Sequence, residues 1–336
     1  LLGVARGHVV DVGPAEKLLP RVSGNAAVED RSGKIIAPGF IDCHVHYPQL
    51  NIIASYGEQL LDWLNRYAYP EEQRFADPGY AREVADVFAA ELLKNGTTTA
   101  LVFATVYPHS ADAVFEAAAA RSMRLIAGKV LMDQHCPEPL RDNPEASHAD
   151  SKALIEKWHG KGRLGYAITP RFALTSSEEQ LRAAGRLAQE YPDVWVHTHL
   201  AENTQEVEAI AAEFGWSRSY LDVYDRFDLV RERSVFAHCL HLDDEDRARM
   251  SARGAAAAFC PSSNLFLGSG LFDLRAIRSA EIRTGLATDV GGGTSLSMLR
   301  TMSDAYKVLH LQDQALPPMR ALYLATLGAA EALRLD

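Results

Sequence analysis

Residues 194–203 read VWVHTHLAEN. The run opens apolar at successive positions, so both faces of the segment want burial, and that marks a strand covered on two sides. Its last residues, two histidines and a glutamate, are poor core material. Seven other runs share the apolar opening: IIAPGFID (35–42), TTTALVF (97–103), RLIAGKVL (124–131), LGYAIT (164–169), SVFAHCL (234–240), AAAAFC (255–260) and IRTGLAT (282–288). Helical stretches separate them. In YAREVADVFAAELLKNG (80–96) apolar residues recur at three- and four-residue spacing before a closing Lys-Asn-Gly. EEQLRAAGRLAQEY (178–191) and TQEVEAIAAEFG (204–215) follow the same rule. Eight strands, each followed by a helix, predict an α/β fold, a closed parallel (β/α)8 TIM barrel. A doubly wound open sheet gives a similar alternation, so pattern favours the barrel without deciding for it.

The 336 residues, 47% of them apolar, can bury one large core. A formal net charge of -10 argues against nucleic acid or an anionic membrane surface as partner. Four scattered cysteines, Cys43, Cys136, Cys239 and Cys260, form no Cys-x-x-Cys pair, which is the usage of a reducing cytoplasm. Residues 1–34 are too polar for a barrel wall. VARGHVVDVG (4–13) and the stretch ending in RSGKI (31–35) read as short strands, expected to be the N-terminal part of a small β-sandwich. Residues 35–336 are expected to be the barrel, ending after a helix at LRLD (333–336) with no strands to complete that sandwich.

In such a barrel the chemistry sits where strands end and loops begin. The chain has 12 histidines, and five of them, His44, His46, His197, His199 and His238, fall at the ends of three strands. Arg171 and Phe172 follow the fourth strand, Glu202 the fifth and Asp289 the eighth. Residues i and i+2 of a strand share a side, so His44 and His46 can aim at one point. Neutral imidazoles with a carboxylate suit a borderline divalent cation such as zinc with one position left for water. A bound metal lowers that water's pKa towards about 7. Asp289 can accept a proton beside the metal, and Glu202 can carry protons to a substrate. His197 reads as a core histidine deeper in the barrel and His241 as a loop residue, while the six remaining histidines have no convergent neighbours. The glycines at 291–293 read as a turn letting backbone pass close to the site, and LLDWL (60–64) as packing. No Gly-x-Ser-x-Gly elbow is present, and FCPSSN (259–264) lacks the second cysteine of the small zinc deaminases.

The motifs PGFIDCHVH (38–46), HTHLAE (197–202), HCLHL (238–242), FCPSSNLFLGSG (259–270) and ATDVGGG (287–293) resemble the amidohydrolase superfamily. Within it, HVHYPQ (44–49), LLDWL followed by RYAYPEEQRFAD (66–77), NGTTTALVFATV (95–106), ITPRFALTSS (168–177) and TDVGGGTSLSMLRTM (288–302) are similar to guanine deaminases. The resemblance implies hydrolysis of guanine to xanthine and ammonia at one Zn2+, with Fe2+ as the alternative ion, in a cytoplasmic homodimer. It implies His44, His46, His199 and Asp289 as ligands, Glu202 as proton shuttle and His238 beside the reacting water. It also implies Gln49, Arg171 and Phe172 as the grip on the purine, with Glu202 and Asp289 reaching it too. The fourth strand ends Ile168-Thr169-Pro170-Arg171, with no lysine to bridge a second metal. Ser176 and Ala201 depart from the Cys and Ser common in relatives without removing a ligand. The competing expectations are an aminohydrolase for adenosine-type nucleosides, cytosine or aminotriazines, and a non-catalytic scaffold of the same fold.

Overall fold

The computed structural model describes residues 2–5, 7–22 and 24–335 and separates into two units, 1–38 and 39–336. In the first unit, β1 (Leu2–Ala5) and β2 (His8–Val12) pair antiparallel around Gly7, whose φ of +81° suits a residue without Cβ. The strand expected near RSGKI does not form. There the Asp30 side chain accepts the Ser32 N–H at 2.7 Å, and Lys34 N–H donates to Arg31 O at 3.0 Å across Gly33. These local bonds make a turn and take the backbone out of any ladder.

In the second unit one parallel sheet runs in the order β11-β10-β9-β8-β7-β5-β4-β3. Its members are β3 (Phe40–His46), β4 (Thr97–Phe103), β5 (Arg124–Gly128), β6 (Val130–Leu131), β7 (Leu164–Pro170), β8 (Trp195–Leu200), β9 (Ser234–His238), β10 (Ala256–Phe259) and β11 (Arg283–Leu286). β5 and β6 occupy one place in the wall, both pairing with β7. Backbone bonds bring the ends of the sheet together: Asp289 N–H donates to His44 O at 2.9 Å and His46 N–H to Val290 O at 2.8 Å. This is the closed barrel, with helices such as Pro78–Lys94, Pro108–Ala120 and Glu178–Glu190 around it.

The first barrel strand lies later than its apolar run suggests, at 40–46 rather than 35–42. Pro38 has no N–H for a ladder, and pairing starts where Phe40 N–H reaches Gly96 O at 2.9 Å. Between Asp42 and Val45 the register with β4 slips, so that Cys43 and His44 both oppose Leu101. This β-bulge lets Cys43 join the apolar filling with Leu101, Ile126, Trp195 and Val235 while His44 enters the site above it. Small side chains, Ala237, Ala256 and Ala258, leave room for Trp195, whose indole N–H donates to Leu333 O at 2.8 Å beside the helix Leu327–Ala332. The interior is thus filled at one end and open to chemistry at the other. Among the described residues no helix is long and apolar enough to cross a membrane.

Candidate active site

Three strand ends deliver the imidazoles, and each is held from behind. His199 Nδ1 lies 2.6 Å from the Arg171 carbonyl oxygen. A carbonyl only accepts, so Nδ1 carries the proton and Nε2 keeps its lone pair. His238 Nδ1 sits 2.9 Å from Asn264 Oδ1, and His44 Nδ1 sits 2.7 Å from His197 Nε2. His197 therefore stands beneath the site and orients His44. His44, His46 and His197 are buried and His199 is half-buried, and desolvation holds all four imidazoles well below the usual range, which favours their neutral form.

The Nε2 atoms converge. His46 Nε2 lies 3.1 Å from His44 Nε2 and 3.2 Å from His199 Nε2. Asp289 Oδ1 is 3.1 Å from His44 Nε2 and 3.4 Å from His46 Nε2. His238 Nε2 makes no hydrogen bond although fully buried, with Asp289 Oδ2 at 3.6 Å and Glu202 Oε2 at 3.3 Å. Ligand atoms of His44, His199, His238 and Asp289 all fall within 4.8 Å of one another. His199 Nε2 keeps its lone pair and His238 Nε2 is buried without a partner, and several imidazole nitrogens converging with one carboxylate are a donor set that fits a divalent metal. The geometry brings His44, His46, His199 and Asp289 together, and it brings His238 equally near.

Strain accompanies the cluster. Ala201, His238 and Asp289 hold φ at +50°, +73° and +49°, in the left-handed region that non-glycine residues avoid. Each follows or ends a strand, and the turn swings the next groups over the barrel mouth. Gly291 lets that backbone pass: a Cβ there would stand 2.9 Å from both Cβ and O of Gln49.

Glu202 is 3% exposed. Burial, then the charges of Asp289 and Glu206, hold its carboxyl well above the ordinary range, which favours its protonated form. Glu206, which the sequence reading passed over, accepts the backbone N–H groups of Glu202 and Asn203 at 2.9 and 3.2 Å and the Tyr220 hydroxyl at 2.7 Å. It fixes the start of the helix Thr204–Glu213 and with it the Glu202 backbone.

The other wall holds Gln49, Arg171 and Phe172, buried at 2%, 2% and 4% exposure and lining the same pocket as His46, His199, Glu202 and Asp289. LLDWL does pack, but Leu60, Trp63 and Leu64 also face this pocket, so the reading as packing alone is corrected. The sequence reading also missed Glu72, which binds both Gln49 and Arg171.

The amidohydrolase family profile matches residues 35–336. A guanine deaminase of Escherichia coli K12 is 50% identical over 336 residues, covering 100% of this chain and 76% of the relative. The solved E. coli guanine deaminase superposes with a TM-score of 0.97 at 50% identity, covering 100% of this chain and 78% of that one. A guanine deaminase from C. acetobutylicum, solved with guanine bound in its active site, gives a TM-score of 0.91 at 30% identity, covering 97% of this chain and 78% of that one.

Proposed function

The chain belongs to the amidohydrolase family, and we propose that within it this protein hydrolyses guanine to xanthine and ammonia, with one zinc ion held by His44, His46, His199 and Asp289. One observation carries the reading: a neutral imidazole–carboxylate cluster shares a pocket with Gln49, Arg171 and Phe172, a set matched to a flat oxopurine. Three borderline nitrogen donors and a single carboxylate favour zinc over a hard cation. Bound there, zinc supplies acidified water as nucleophile at neutral pH.

The chain's own groups account for the remainder. Arg171 donates to the 6-oxo oxygen. Gln49 offers a donor and an acceptor to the base edge. Phe172 lies against the ring, and Leu60, Trp63 and Leu64 keep bulk water out. The proton on Glu202 passes to the ring nitrogen beside C2 as water adds there, so charge does not build up in the base. Asp289 and His238 flank the reacting centre, 3.6 Å apart, where they can take the water proton and steady developing charge. Ammonia leaves from C2 once the proton that Asp289 took from the water reaches the amino group, and the added hydroxyl, becoming the C2 carbonyl, gives its remaining proton back to Glu202.

The working form is proposed to be a cytoplasmic homodimer; the four cysteines are free, as a reducing compartment requires. The test is ammonia release by purified protein on guanine, cytosine, adenosine and ammeline, with elemental analysis of the same sample. Turnover confined to guanine with about one zinc per chain is the expected result. Preferred turnover of another substrate would replace guanine, and absence of stoichiometric metal would remove the catalytic reading.

A further inference from the structure

Glu72 stands outside the imidazole cluster on the short helix Tyr69–Gln73, and it is 1% exposed. Its two oxygens are divided between the two polar side chains of the purine wall. Oε1 accepts from Gln49 Nε2 at 2.9 Å, and Oε2 accepts from Arg171 Nη1 at 2.6 Å. Gln49 is pinned at its other end as well, where Oε1 accepts the Gly291 N–H at 3.1 Å. A backbone N–H only donates and a carboxylate facing a guanidinium accepts, so the Gln49 amide has a single consistent orientation. What remains free is one N–H on its nitrogen and one lone pair on its oxygen. Arg171 is held on a second side by Tyr69, with Cζ 5.0 Å from the ring centroid, and its other N–H groups stay available.

We propose that Glu72 is a positioning residue that sets purine specificity: by holding Gln49 and Arg171 at once, it fixes which edge of the pocket donates and which accepts. The inference rests on the guanine reading of this pocket. Without the carboxylate, the Gln49 amide can turn over and the guanidinium can swing, and a 6-oxo group is no longer told from a 6-amino group. Glu72 touches neither the ligand cluster nor Glu202, so its loss acts on binding and selection rather than on the chemical step.

The experiment compares the zinc-loaded wild type with Glu72→Gln, which keeps the shape and removes the charge. Hypoxanthine, a 6-oxopurine with no 2-amino group to lose, reports binding alone. Its dissociation constant and the KM for guanine are expected to rise about tenfold or more, the scale of charge-assisted hydrogen bonds, with kcat within about threefold. Preference for guanine over 2,6-diaminopurine, as the ratio of kcat/KM values, is expected to fall about tenfold. Metal content should not change. Should Glu72→Gln not fold, Glu72→Asp, whose retracted carboxylate cannot reach both partners, is expected to give the same split. Unchanged hypoxanthine binding and unchanged preference in a folded variant would overturn the proposal, as would a loss confined to kcat. A wild type that turns over guanine while the variant matches it defeats only the role of Glu72. A wild type inactive on guanine defeats the guanine reading and this inference with it.

Discussion

His44 and His46 stand on a strand bonded along both edges, to β4 on one side and to residues 289–290 on the other. Gln49 faces them from the 3-10 helix Tyr47–Ile52 and Arg171 from the segment that follows β7, and their positions depend on side-chain bonds to Glu72. The first region is neutral and preorganised by backbone; the second is charged and preorganised by an ion pair in which both members are 2% exposed at the side chain. Backbone fixes where a group sits, so a lost side chain in the cluster leaves the others in place. A buried ion pair fixes its members mutually, so losing one disturbs the other.

Substitutions can break that contrast. Asp289→Ala should have the largest effect, removing the one carboxylate of the donor set, with bound metal and activity both lost; retained stoichiometric metal on elemental analysis would refute the ligand role. Glu202→Gln should lower kcat by about a thousandfold, within the range of a removed general acid, while metal content stays whole. Arg171→Ala should raise the KM for guanine about a hundredfold through a lost charged hydrogen bond. It should also cost about 3 kcal/mol of stability, because Glu72 is left buried without its cation, a loss that chemical denaturation would read. His197→Ala should weaken metal affinity by about tenfold, as when an outer partner of a ligand is removed, with the KM for guanine unaltered in samples saturated with zinc. If His197→Ala instead changed KM alone, the separation of the two regions would fail.

The strand-end histidines were legible because a strand that opens apolar and closes in His-Thr-His puts lone-pair donors where a core would take aliphatic side chains. The place of β3 was not, since IIAPG is as apolar as a strand while Pro38 cannot join a ladder. The bulge that turns His44 inward beside Cys43 depends on register with β4, which composition does not encode. Arg171 and Phe172 were placed at a strand end by the pattern of the chain, whereas Gln49, and the purine-holding role of all three, came through motif resemblance. Glu72 stayed invisible for a physical reason: in YPEEQ two adjacent glutamates read as a solvated helix start. Only the fold shows Glu71 joined to Arg74 at 2.8 Å and Glu72 turned inward to Arg171. The left-handed turns at Ala201, His238 and Asp289 are equally silent in sequence, because none is a glycine.

The seam where the sheet ends meet is made by the backbones of His44, His46, Asp289 and Val290. The amides that shut the cylinder therefore belong to the same residues whose side chains gather at its mouth. A thermal opening there spreads those side chains as it parts the wall, so deuterium exchange at the His46 and Asp289 amides and the off-rate of the bound cation should keep the same time.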